Sequence, residues 1–195
     1  YDIAASSQLV LFMFLTALTG AVVLIGTKRL GVAGRMLATP TSTGEVVAGE
    51  ALARLGIALI QGIYIIAVSA ALFGVTWGDP WAASAIVLVF AAASAGAAML
   101  VGAVFSTEQQ AGGVGVMGGI GLGALGGAMV PLELYSPAMQ TVAHLTPHAW
   151  ALDAFAALIR ENAGIGDIAR ELGALAAFAA VLLALASAGL RHAIT

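Results

Sequence analysis

The chain has 195 residues, of which 61% are hydrophobic and only 9% charged. A water-facing globular surface needs about a quarter of its residues charged. A soluble domain is therefore excluded, and apolar runs of spanning length predict an all-α integral membrane protein, a polytopic helical bundle in one domain over residues 1–195. The net charge of -3 comes without a basic, aromatic-laced patch, which argues against nucleic acid as a partner.

Five apolar runs are expected to span, at 9–26, 55–75, 81–105, 111–130 and 172–190. The first two flank residues 28–50, which gather Lys28, Arg29 and Arg35, a proline and a cluster of small hydroxyl residues. Basic residues favour the cytoplasmic side of a bilayer, so the loop 27–48 is assigned to the inside and orients the rest. The turn Gly78-Asp79-Pro80, between Trp77 and Trp81, then falls outside, as does 131–171. Ser106–Gln110 and the C-terminus return to the inside. Five spans starting outside predict a preceding helix, absent from this chain, that would bring the count to six. The second run extends back as a helix to Glu45, placing Glu50 and Arg54 four apart in the favourable acid-first order.

The fourth run carries Gly115, Gly119, Gly123 and Gly127 at four-residue intervals. That stripe lets a neighbouring backbone approach closely, either within the chain or at a subunit interface. Glu108 and Gln109 stand at the cytoplasmic mouth of this helix; the carboxylate suits the helix N-terminus and is a candidate gating group. Gln61, alone and polar in the second run, is expected to bond a neighbouring helix. Pro131, Pro137 and Pro147 cut 131–171 into short pieces, read as a re-entrant or interfacial hairpin of helices over 138–145 and 150–159 in the outer leaflet.

His144 and His148 are four apart, but Pro147 breaks the register a metal pair would need. Ser136, His144 and Asp153 form a triad only on paper, since no nucleophile-elbow signature accompanies them. No GxxxxGK[ST] loop occurs, so ATP is not bound by this chain in that way. The runs hold no deep charge, which counts against a proton- or sodium-driven carrier and puts the energy source elsewhere. No catalytic, cofactor or metal site is assigned, and the chain is expected not to be an enzyme.

Three stretches in order resemble the type-2 ABC permeases. They are Arg35-Met36-Leu37-Ala38-Thr39-Pro40, then Ser106-Thr107-Glu108-Gln109-Gln110-Ala111, then Gly126 to Glu133 with Leu145-Thr146-Pro147 and Ala151 to Ala154. The flavour is that of daunorubicin-type drug-resistance exporters. The resemblance implies that the segment 32–39 is a coupling helix whose Arg35, Met36, Leu37, Thr39 and Pro40 dock on a separate ATP-binding cassette subunit. ATP and Mg belong to that subunit. It further implies a second permease half, an identical one making a homodimer, in a bacterial inner (plasma) membrane, exporting an amphiphile such as a drug, lipid or glycolipid. Pro131, Leu132, Pro147 and Asp153 would belong to an outer gate. The rival readings are a membrane scaffold anchoring a cytoplasmic partner and an energy-independent channel. A neighbouring gene for a P-loop ATPase favours export over the scaffold, and conductance without ATP would favour the channel.

Overall fold

The computed structural model describes residues 2–194, with the side chains at 33, 34, 37 and 192–194 outside the described set. The described chain is helical throughout, without strands. The first span is α1 (Asp2–Thr19) followed directly by α2 (Ala21–Arg29). Gly20 between them keeps nearly helical angles (φ -63°, ψ -15°). Thr19 turns its hydroxyl back onto the Leu15 and Thr16 carbonyls, a bond that tends to bend helices. A positive-φ turn at Gly31 leads into the short α3 (Val32–Leu37).

The helix α4 (Thr43–Phe73) is long because both ends are well terminated. Ser42 accepts from the Glu45 amide while its own N–H donates to the Glu45 carboxylate at 2.7 Å, a reciprocal capping box. Gly74 closes the far end in the left-handed conformation. The Ser42→Ala variant is expected to lose about 1 kcal/mol, seen as a drop of roughly 2–4 °C in Tm of the detergent-purified protein; an unchanged Tm would mean that the cap is not formed.

Three further helices complete the bundle. α5 (Pro80–Val104) starts with proline behind an Asp79 cap, α6 (Glu108–Leu125) follows a Thr107 cap, and α9 (Ala169–Ile194) ends the chain. Between α6 and α9 come a 3-10 turn (Leu132–Leu134), α7 (Pro137–Ala143) and α8 (Pro147–Glu161).

α5 is the buried spine. Its alanines and Gly96 let α9 pack against it so closely that a Cβ on Gly96 would lie 2.9 Å from Leu183 N. Without a hydrophobic force between helices in lipid, such backbone-level contact is the main source of association. Phe14, Phe90, Phe155 and Trp77 fill the core where α1, α5 and α8 meet.

Four helices are long and apolar enough to span: Asp2–Arg29, Thr43–Phe73, Pro80–Val104 and Ala169–Arg191. The fourth of the five expected runs, α6, falls short of this measure of length and hydropathy. Its 18 residues open with Glu108, Gln109 and Gln110, and glycine adds little hydropathy. α6 nevertheless runs antiparallel to the first span over most of its length: Glu108 lies beside Gly26, Gly112 beside Val22, Gly115 beside Leu18, Gly119 beside Leu15 and Gly123 beside Leu11. In the outer segment α7 is largely exposed, whereas Pro147, His148, Ala149 and Ala151 of α8 are buried, with the His148 ring between Phe14 of α1 and Phe90 of α5.

Charge separates along the bundle. One end holds Lys28, Arg29, Arg35, Arg54 and Arg191, five of the seven basic residues. The other holds seven of the ten acids, among them Asp2, Asp79, Glu133, Asp153 and Asp167. These are called below the basic and acidic ends.

Candidate functional site

At the basic end the chain leaves the bundle, forms α3 and returns. Gly31 is forced there because its φ of 65° is a conformation that side chains rarely adopt. The return is stiffened by Thr39, whose hydroxyl donates to the Met36 carbonyl at 2.6 Å and meets the Thr41 hydroxyl at 2.9 Å. Pro40 then prevents further helix. The result is a projecting knob: Arg35, Thr39 and Pro40 are exposed, Met36 is 48% exposed and Leu30 72% exposed. Leu37 closes α3, and its side chain lies outside the described set. Cavities of about 210 and 360 Å³ separate α3 from the bundle, with Met36 and Glu50 lining both. The knob thus presents a basic and apolar tip with room behind it to move.

Beside it, the ends of α2, α5 and α6 are tied by charge. Lys28 Nζ donates to the Gly102 carbonyl at 3.2 Å, in the last turn of α5, where a cation complements the helix dipole. Arg29 reaches Glu108 at 3.6 Å across the first turn of α6. Both partners are exposed, so the pair contributes little to stability. Gln109 is exposed next to it.

The glycine stripe is occupied within the chain. A Cβ on Gly115 would sit 2.9 Å from the Leu18 carbonyl oxygen, and one on Gly119 3.0 Å from Leu15 Cα. Gly123 meets the Leu11 side chain. Gly127 does not continue the stripe: α6 ends at Leu125, and Gly127 has φ 94° in the following turn, packed against Leu132. The four-residue period simply outlasts the helix.

The acidic end is clasped by polar bonds. Tyr135 donates to the Ala124 carbonyl at 2.6 Å, and Gln140 Nε2 donates to the Leu132 and Tyr135 carbonyls. Pro131 precedes the 3-10 turn and Pro147 occupies the first turn of α8. Arg160 pairs with Glu133 and holds its carboxyl below the usual range. Trp150 donates to the His144 carbonyl at 2.8 Å and carries the Arg170 guanidinium 5.2 Å from its ring centre.

Asp153 bonds His144 Nε2 at 2.7 Å, while His144 Nδ1 meets the Gln140 carbonyl at 2.7 Å. The Gln140 carbonyl and the Asp153 carboxylate both accept, an arrangement that favours the doubly protonated imidazolium. Burial pushes its pKa down, but the Gln140 carbonyl and the Asp153 carboxylate outweigh that and the nearby Arg170, holding it above the ordinary 6.5. A raised folded-state pKa gives stability that is complete below the unfolded pKa and lost as pH rises through the folded one. The wild-type Tm is therefore expected to fall more steeply than that of His144→Gln as pH rises above 6.5. Parallel profiles would contradict the clasp.

Ser136 is not part of this pair; its hydroxyl caps α7 by accepting from the Met139 amide. His148 points the other way. It is fully buried, 4.5 Å from Phe14 and 5.6 Å from Phe90 between ring centres, and neither nitrogen has a partner. The two histidines thus serve separate environments, and no group of three metal-ligating side chains occurs among the described residues. The seclusion of His148 had no signal in the sequence beyond its place one residue after Pro147.

Gln61 donates to the Phe12 carbonyl at 3.2 Å and to the Thr16 hydroxyl at 3.1 Å, joining α4 to α1. Further toward the basic end, Arg54 bonds Glu50 and is nine-tenths buried. The spacing announced that pair, but not its burial.

Comparison with known proteins fits this layout. The chain is 29% identical over 182 residues to the linearmycin resistance permease protein LnrN of Bacillus subtilis (strain 168), covering 93% of this chain and 47% of that protein. It therefore spans about half the length of the curated relative it matches. No solved structure matches it. The family described as ABC-2 family transporter protein matches residues 2–188, and with the all-helical, membrane-spanning fold it gives the assignment: the chain belongs to the ABC-2 transporter family as a membrane permease.

Proposed function

We propose that the chain is a permease subunit of an ABC exporter that moves an amphiphile outward across a bacterial inner membrane. The carrying observation is the projecting α3, a short helix with an exposed basic and apolar tip at the basic end of a charge-segregated bundle. The basic end faces the cytoplasm under the positive-inside rule. A separate cassette subunit binds ATP and Mg, docks on Arg35, Met36, Leu37, Thr39 and Pro40, and pushes α3 toward the cavities behind it. The Arg29–Glu108 tie, with Gln109, sits where the inner mouth would open.

The acidic end is the outer gate, with Pro131, Leu132, Pro147 and Asp153 setting the hairpin that shuts the exit. The complex works with a second permease half, the same chain in our reading. Because Gly115, Gly119 and Gly123 already hold α1, the partner meets other exposed apolar surface, such as the face of α6 carrying Val116, Met117 and Ile120 or that of α4 carrying Ile60 and Ile63. The drug-resistance relative supports an amphiphilic substrate, as does a bundle whose long helices are apolar.

The test is transport in inverted membrane vesicles from cells expressing the full-length permease with or without a candidate cassette subunit. ATP-dependent accumulation of a fluorescent amphiphile only with both subunits is the expected result. Equal accumulation without the cassette subunit or without ATP would overturn the proposal.

A further inference from the structure

A groove of about 190 Å³ lies between α4 and the α1–α2 junction, lined by Thr16, Gly20, Val23, Arg54, Ile57 and Gln61 among others. It opens on the outside of the bundle, where Val23 is 66% and Ile57 60% exposed. Most of its wall is apolar, yet two of its lining residues each carry a buried polar atom without a partner: Arg54 Nε and Gln61 Oε1. Buried polar groups are normally satisfied, so each such atom calls for an explanation.

The Arg54 guanidinium uses Nη1 for both of its bonds, to the Glu50 carbonyl at 3.0 Å and to the Glu50 carboxylate. This leaves the Nε edge, the edge that accepts a carboxylate or phosphate side-on with two parallel bonds. Its position is also informative. Arg54 lines the groove together with Gly20 and Val23, which lie roughly 9–13 Å along the first span from Arg29. A paired arginine carried this far along a spanning helix is a candidate functional group. Gln61 lies two turns further out on the same face of α4, ~10 Å away. Its Nε2 is committed to α1, and its buried carbonyl oxygen is left without a donor.

We infer that this groove receives an amphiphile from the inner leaflet, with its acidic head on Arg54 and a hydroxyl or amide donor further along the chain reaching Gln61. The inference rests on the exporter reading and names the substrate chemistry for it. Glu50 is the built-in rival for Arg54. It also borders both cavities behind α3, so a head that displaces it sends the carboxylate into the space into which α3 would move.

The probe is a photoactivatable long-chain carboxylic acid, compared with the primary alcohol of the same chain. The full-length permease with its cassette subunit is labelled in zwitterionic nanodiscs, and the labelled residues are mapped by mass spectrometry. The acid should label residues 16–23 and 53–61 at least tenfold more than the alcohol. Arg54→Gln should bring the acid down to the alcohol's level, and Glu50→Gln should raise labelling by removing the competing carboxylate. Equal labelling by acid and alcohol in the wild type, or labelling unaffected by Arg54→Gln, would overturn the site. Loss of wild-type labelling when phosphatidylglycerol is added would also overturn it, by giving the groove to a bilayer lipid. Retention of the cassette subunit in the same preparations reads the exporter assignment separately: labelling lost with the subunit retained refutes the site alone, and the reverse refutes the exporter alone.

Discussion

Gly115→Leu is expected to abolish the folded bundle or to leave it with a sharply lowered Tm, whereas Gly121→Ala should be neutral or slightly stabilising. The two glycines lie six residues apart in one helix and differ in what stands opposite. At Gly115 a new Cβ meets the Leu18 carbonyl oxygen at 2.9 Å, its carbon at 3.0 Å and the Thr19 nitrogen at 3.2 Å. Those are backbone atoms of a helix and cannot swing aside. At Gly121 nothing lies within 4 Å. Overpacking costs 1–3 kcal/mol where a core can adjust and more where it cannot, so a leucine against backbone should cost roughly 3 kcal/mol or more. Alanine at an open helical site gains up to about 1 kcal/mol over glycine. Thermal unfolding of the purified variants checks both. Equal Tm values for Gly115→Leu and Gly121→Ala would mean that α6 does not pack on α1 in this register.

Arg35→Glu, alone or with Met36→Asp, should eliminate ATP-driven transport while leaving insertion and Tm unchanged. Both side chains are exposed on a knob of six helical residues that touches the bundle on one side. Exposed substitutions of this kind rarely move stability beyond about 0.5 kcal/mol. At a docking surface the effect is different, because a buried arginine anchor contributes 2 kcal/mol or more, which is about thirtyfold in affinity. The cassette subunit should then hydrolyse ATP without moving substrate. Transport retained at the wild-type rate would remove α3 from the coupling path.

Much of this architecture was legible in the residues. The cationic island with Pro40, the extension of the second run back to Glu45, and the lone Gln61 all report local or single-helix chemistry, which sequence carries directly. The glycine stripe gave close packing at Gly115, Gly119 and Gly123, but not which helix would be approached. Its last member misled, because a four-residue period at Gly127 says nothing about where Gly126 ends the helix. The burial of α8 was not legible. Its alanines and leucines read equally as an interfacial face or a buried one, and only the pocket between Phe14 and Phe90 decides that His148 goes inward. The burial of Arg54 was hidden for the same reason: a four-residue spacing to Glu50 looks identical on an exposed helix and beside a groove.

The central claim is that α3 takes the stroke of an ATP-binding partner. The chain contains no cysteine, so Met36→Cys in a cysteine-free full-length background can be cross-linked to a cassette subunit through a short bismaleimide, with Trp81→Cys at the opposite end as control. Trp81 is 79% exposed and thus no less reachable. A covalent permease–cassette product from Met36→Cys, changing in yield with ATP and absent from Trp81→Cys, is the result expected. No product from Met36→Cys, or equal product from both positions, would contradict the account.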